Sequence, residues 1–287
     1  MAITVGSGDF RYELVEDWAQ KPEGWVFKQV AAVAVDENDD VYVFNRSDHP
    51  VMVFNRAGEF IRSWGEGHFP SAHGMCFGKD GTLWLADNND HTVKNFTRLG
   101  EHIRTLGTVD EPHENDPFNK PTDVTAASNG DLYISDGYGN NRVHVFTSSG
   151  DYKFSWGQTK RAPGVWDGDF NLPHNIWIHK DLTYIADREN HRIQIFDLTG
   201  KHVDTWTDFI QPCDIYIDSN DIAYVAELRN RVSIADLSGK VQGRWGRFAT
   251  DEPGLFKAPH GIWTDSHGDL YVGEVLEGQR IQKFRRL

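Results

Sequence analysis

Short runs of β-branched, aromatic and other apolar residues alternate with polar turns along the chain, and the alternation itself repeats. Six segments open on an aromatic anchor and lead into an apolar run: Phe27-Lys-Gln-Val-Ala, Phe69-Pro-Ser-Ala-His, Phe118-Asn-Lys-Pro-Thr, Phe170-Asn-Leu-Pro-His, Phe209-Ile-Gln-Pro-Cys and Phe256-Lys-Ala-Pro-His. The anchors lie 42, 49, 52, 39 and 47 residues apart. Inside each repeat a turn such as Lys79-Asp80-Gly81 precedes a second strand, as in Leu83–Asp87. A third strand follows, as in Arg142–Phe146, and a fourth often ends in Trp-Gly, as at Trp64-Gly65 and Trp156-Gly157. No 3.6-residue periodicity competes with this pattern. Four short strands per repeat of this length predict an all-β chain folded as a six-bladed β-propeller, one domain over residues 1–287.

The last repeat stops after Ile281-Gln-Lys-Phe284 and lacks an outer strand, which the N-terminal segment near residues 8–18 resembles. That segment is expected to join blade six, closing the ring and hiding two unpaired edges. Longer connections at 108–117, 158–169 and 247–255 are expected to wall or lid one face.

Alignment of the anchors exposes a column four residues on: Ala31, His73, Thr122, His174, Cys213 and His260. Histidine stands in blades two, four and six. One histidine at a strand start would be an ordinary polar residue. Three at alternate blades, opening the innermost strands, are expected about 120° apart around the axis. That arrangement suits Zn²⁺, with a fourth position left to water or substrate. A second column marks the end of each second strand: Asn45-Arg46, Asp87-Asn88, Asp136-Gly137, Asp187-Arg188, Glu227-Leu228 and Glu274-Val275. Its loops leave on the histidine side. Arg46 and Arg188, from opposite blades, therefore become candidates for holding a substrate carboxylate. Tyr138, on the same rim, becomes a candidate proton-transfer group whose pKa a nearby cation and metal would lower. Arg142, Arg192, the aspartates Asp87, Asp136 and Asp187, and the tryptophans Trp64, Trp156, Trp206 and Trp245 read as structural.

Composition narrows the field. Asp plus Glu outnumber Lys plus Arg by 43 to 29, a formal charge of −14, which opposes binding to nucleic acid or an anionic membrane. Thirty-six aromatic residues among 287 support a large core. Cys76 and Cys213 are too few for a disulfide framework, and their blades are opposite, so a reduced compartment is expected. The first residues carry neither a basic nor an apolar leader segment, and no run approaches the roughly 20 apolar residues of a membrane span. The expectation is a cytoplasmic protein. Phosphate loops, Gly-x-Ser-x-Gly elbows and His-Glu-x-x-His motifs are missing.

The stretches Arg46-Ser-Asp-His49, Ala72-His73-Gly74, Lys120-Pro-Thr-Asp-Val124, Ile134-Ser-Asp-Gly-Tyr138, Pro173-His174, Ala186-Asp-Arg-Glu-Asn-His-Arg-Ile193 and Pro259-His260 resemble the peptidyl-α-hydroxyglycine α-amidating lyase (peptidylamidoglycolate lyase) family of NHL-repeat propellers. The resemblance implies zinc on His73, His174 and His260, a catalytic tyrosine at Tyr138 and substrate-binding arginines at Arg46 and Arg188. It also implies a structural calcium on the carbonyls of Val30 and Met75 and on an aspartate after the third histidine. Gly261 stands there instead, which removes the only charged ligand and argues against calcium. Ala258 replaces the family's methionine, so a different substrate pocket is expected. Gly139 replaces a disulfide cysteine. No monooxygenase segment accompanies the repeats, so peptide-hormone amidation is not implied.

The leading expectation is a zinc-dependent lyase that cleaves the C–N bond of an N-acyl-α-hydroxyglycine or similar carbinolamide, a small molecule carrying a carboxylate, to an amide and glyoxylate or a related oxoacid. A metal-dependent, lactonase-like propeller hydrolase and a non-catalytic NHL scaffold that binds a protein partner are the alternatives.

Overall fold

The first three strands of each repeat are largely buried, whereas the fourth strands keep exposed positions. Val41–Asn45 and Val51–Phe54 are buried at every residue, while Phe60–Trp64 is buried only at its end. The computed structural model describes residues 2–158 and 167–287; most of the connection expected at 158–169 lies outside the described residues. The strands form six antiparallel sheets, the blades of a six-bladed β-propeller.

The chain divides into two compact units. Gly67–Ile215 carries blade two (Ala72–Phe77, Leu83–Asp87, Thr92–Phe96, His102–Leu106), blade three (Asp123–Ala126, Leu132–Asp136, Arg142–Phe146, Tyr152–Trp156) and blade four (Pro173–His179, Leu182–Asp187, Arg192–Asp197, His202–Trp206). The other unit, residues up to Glu66 with Tyr216–Leu287, carries blade one (Val30–Val35, Val41–Asn45, Val51–Phe54, Phe60–Trp64) and blade six (Pro259–Thr264, Leu270–Glu274, Ile281–Arg286). It also holds the last three strands of blade five: Ala223–Glu227, Arg231–Ala235 and Val241–Trp245. The first strand of blade five, Pro212–Ile217, crosses the boundary in sequence.

Blade six is completed as expected. Phe10–Val15 pairs antiparallel with Ile281–Arg286, placing Leu14 opposite Phe284. A further strand, Thr4–Ser7, folds back on Phe10–Val15 and makes this sheet five-stranded. The sequence pattern missed it because Gly6 and Gly8 interrupt an already short run. Tyr12 is fully buried, stacks on Trp245 at 5.7 Å and accepts a 2.7 Å hydrogen bond from Arg286.

Two recurring devices fix the side chains and loops at the strand ends. In blades one, two, four and six the pairing of first and second strands slips at one place: between Val30 and Ala32, Ala72 and Met75, Pro173 and Asn175, and Pro259 and Gly261. Ala31, His73, His174 and His260 lie within these slips. A bulge there bends the strand and re-aims the side chain, a common arrangement beside functional sites. The second device is the residue that ends each second strand. Asp87, Asp136, Asp187 and Glu274 accept the backbone N–H of Ser71, Asn119, Asn171 and Lys257 at 2.7–2.8 Å, so each pins the loop entering its own blade's first strand. Asp187 also takes Arg192 Nε at 2.8 Å. The aspartates and Arg192 are thus structural, as expected. Burial raises the Asp87 and Asp187 carboxyls above their ordinary pKa.

Replacing Tyr12 by Ala should destabilise the fold by about 3–5 kcal/mol, the usual range for truncating a fully buried large aromatic. Denaturant unfolding measures it; an unchanged midpoint would show that the N-terminal strand is dispensable to blade six.

Candidate active site

The three column histidines are buried, at 2% (His73), 1% (His174) and 5% (His260) exposure. Each uses Nδ1 in the same way. His73 Nδ1 lies 2.6 Å from the carbonyl of Thr122, His174 Nδ1 2.7 Å from that of Cys213, and His260 Nδ1 2.7 Å from that of Ala31. In every case the acceptor is the column residue of the following blade. A carbonyl only accepts, so Nδ1 must carry the proton and Nε2 keeps a lone pair. Metal-bound histidines are oriented in this way, the second ring nitrogen donating to a backbone carbonyl or a carboxylate.

Tyr138 reaches the same nitrogens. Its hydroxyl lies 3.1 Å from His73 Nε2 and 3.2 Å from His174 Nε2, whose rings are 4.7 Å apart. One hydroxyl proton cannot serve both lone pairs at once, so the donor set fits an electrophile shared by the imidazoles. Neutral nitrogen ligands suit zinc and related borderline metals. Among the described residues, His73, His174 and His260 are a group of buried side chains that could hold a metal ion.

Glycines on both sides of Tyr138 let the loop run against its neighbours. A Cβ on Gly137 would lie 2.3 Å from the Pro173 carbonyl, and one on Gly139 2.2 Å from the Asn119 carbonyl. A cysteine at 139 therefore does not fit this backbone. At Gly261 a Cβ would meet Ala32 Cα at 2.8 Å and the Ala31 carbonyl at 3.0 Å, leaving no space for an aspartate without a backbone shift.

Arg188 follows the second strand of blade four in a short 3₁₀ turn, Arg188–Asn190. Its Nη1 lies 3.4 Å from the Tyr138 hydroxyl and its Nε 2.8 Å from Glu189. Glu189 also accepts from Gln211 Nε2 at 2.9 Å. Burial alone would lower the Arg188 pKa, but Cys213, Tyr138 and Glu189 offset it and hold the guanidinium above its ordinary value. Within the other unit, Arg46 donates to Gln29 Oε1 at 2.5 Å, and His49 stacks on Trp25 and meets Glu66 at 3.1 Å, a structural role.

The structure thus brings His73, His174, Tyr138 and Arg188 into contact within one unit and places His260 and Arg46 in the other. Sequence reasoning missed Gln29, Glu189 and Gln211. Gln29 and Gln211 occupy the same place, two residues after the anchors Phe27 and Phe209, and that repetition was the available signal. Cys213 enters through its carbonyl; burial pushes its thiol up to about 12. Cys76 and Cys213 are both buried and unbridged, as expected.

Comparison with known proteins agrees with this architecture. The NHL repeat model matches residues 118–146. A gluconolactonase from Xanthomonas campestris shares the fold, with a TM-score of 0.70 and 12% identity over 99% of this chain and 97% of that one. Among curated proteins, peptidylglycine alpha-amidating monooxygenase of Rattus norvegicus is 31% identical over 94% of the chain, which spans only 31% of that protein's length. The probable peptidyl-alpha-hydroxyglycine alpha-amidating lyase pgal-1 of Caenorhabditis elegans is 26% identical over 90% of this chain and 83% of its own. The chain is an NHL-repeat propeller similar in sequence to proteins named as peptidyl-α-hydroxyglycine α-amidating lyases.

Both thiols should be unreactive toward Ellman's reagent in the native protein at pH 8 and should titrate as two equivalents after denaturation. Fast native labelling of Cys213 would show that the wall behind His174 and Arg188 opens.

Proposed function

We propose that the protein is a zinc-dependent lyase acting on N-acyl-α-hydroxyglycines or related carbinolamides, with His73, His174 and His260 as metal ligands. The observation that carries this reading is the repeated Nδ1-to-carbonyl bond, which orients in one way the three buried imidazoles that could hold a metal ion. The sequence similarity supports the reaction class. When bound, zinc supplies Lewis-acid stabilisation of charge developing on substrate oxygen.

The remaining work falls to the chain's own side chains. Arg188, and Arg46 in the other unit, hold the substrate carboxylate through charge-assisted hydrogen bonds. Tyr138 takes the proton of the substrate hydroxyl as the carbon–oxygen double bond forms and the C–N bond breaks. The departing amide nitrogen receives a proton in return, so an amide and glyoxylate leave and no water is consumed. Tyr138 must be ionised to accept that proton, and the guanidinium 3.4 Å from its oxygen stabilises the phenolate. Glu189 and Gln211 keep that guanidinium in place.

Protein purified without added zinc should carry about one equivalent per chain and release glyoxylate from N-acyl-α-hydroxyglycines. Chelation should abolish this release, and zinc should restore it. Tyr138→Phe should lose 10²–10⁴-fold in turnover, the usual effect of removing a general base, while keeping its metal. Full activity of metal-free protein would remove the zinc assignment. Lactone opening without glyoxylate release would favour a hydrolase.

A further inference from the structure

Within Gly67–Ile215 one device recurs where one blade meets the next. The residue just before the third strand of blades two, three and four is His91, Asn141 and His191, each in a left-handed conformation with φ of 62°, 53° and 56°. Each side chain accepts a backbone N–H from the loop entering the next blade: His91 Nδ1 from Lys120 at 3.1 Å, Asn141 Oδ1 from Leu172 at 2.7 Å, and His191 Nδ1 from Gln211 at 3.0 Å. Those three donors are left-handed as well, with φ of 65°, 67° and 48°. Residues with side chains keep such a conformation only where their surroundings hold it.

The middle seam falls inside the candidate site. Asn141 is buried and closes the loop that carries Tyr138, while Leu172 stands two residues before His174. The Leu172 carbonyl accepts the Arg188 N–H at 3.1 Å, so two hydrogen bonds through one residue run from the tyrosine loop to the arginine. The other end of the same loop lies against the neighbouring Pro173, whose carbonyl would be 2.3 Å from a Cβ on Gly137. The tyrosine loop therefore grips Leu172-Pro173 from both ends. The gripped segment leads into a proposed metal ligand and holds the start of the Arg188 turn.

We infer that Asn141 is a positioning residue, which through Leu172 sets the distance between the Tyr138 hydroxyl and the Arg188 guanidinium. The inference rests on the lyase reading and adds to it a residue that touches no reacting atom. A guanidinium stabilises a phenolate only at close range, and slack between the two loops would lengthen the 3.4 Å approach. An acceptor at the left-handed position is what the seam requires, so asparagine here and histidine at the flanking seams serve alike.

The test uses Asn141→Gly, which keeps the left-handed turn but deletes the acceptor, and Asn141→His, which restores an acceptor of the kind blades two and four use. Glyoxylate release is measured at about pH 8, where histidine is ordinarily neutral. Asn141→Gly should lose about 10–100-fold in kcat, the effect of a misplacement of up to about 1 Å, with KM little changed. Asn141→His should recover most of that loss. In a Tyr138→Phe background Asn141→Gly should cost little more, because its effect passes through the phenol. Backbone hydrogen exchange in Asn141→Gly should quicken at Arg188 as well as at Leu172. Zinc content and melting temperature of each variant report folding. Unchanged kcat in Asn141→Gly, the full further loss in the Tyr138→Phe background, or an Arg188 amide that exchanges as in the wild type would overturn the positioning role. No glyoxylate release from the wild type would instead overturn the lyase reading, and hydrogen exchange would still decide the bridge.

Discussion

The candidate site depends on one contact made three times: an imidazole Nδ1–H donated to the backbone carbonyl of the next blade's column residue. A carbonyl at a strand start has its position set by the sheet, so the ring cannot swivel without losing a buried hydrogen bond. Leaving a buried polar group unsatisfied costs about 1–3 kcal/mol. The same bond determines the tautomer of the neutral ring, and with it which nitrogen can act as a ligand. This explains why the alternate positions Ala31, Thr122 and Cys213 need no ring of their own. Their contribution is the main-chain oxygen, and their side chains are free to differ: an apolar methyl beside His260, a hydroxyl that donates to Pro173 O at 2.8 Å, a buried thiol behind Arg188.

Around this contact the blades use buried carboxylates to hold loops in place. Asp87, Asp136, Asp187 and Glu274 accept a main-chain N–H from the loop entering their own blade's first strand. Burying an acid is unfavourable, and the raised pKa of Asp87 and Asp187 is its signature. The several donors converging on Asp187, from Asn171, Asn190, Arg192 and Gln194, offset the loss of solvent. Rigid loops then present Tyr138 and Arg188 on a frame that leaves little freedom in the distance between hydroxyl, guanidinium and imidazole.

Asp123, the residue after Thr122, works in the same way further along the strand. It is buried, burial and the nearby Asp214 raise its pKa well above the ordinary value, and it receives Asn175 Nδ2 at 2.6 Å and the Ile176 N–H at 3.2 Å. Hydrogen bonds from blade four to an acid of blade three lock the two strand starts that carry His174 and Thr122.

Much was legible in the order of residues alone, because a repeat makes position meaningful. The spacing of Phe anchors and turn residues defined six units, the missing last strand pointed to Phe10–Val15, and the histidines stood out because equivalent places could be compared. Second-strand ends likewise marked Arg46, Tyr138 and Arg188. Other features depend on contacts between residues far apart in the chain, which no spacing encodes. The slip that re-aims each histidine, the carbonyl that each one meets, the link from Glu189 to Gln211 and the close approach that demands glycine beside Tyr138 and at 261 all arise where segments distant in sequence press on one another. Local periodicity specifies which strand a side chain occupies; only packing decides which atom it faces.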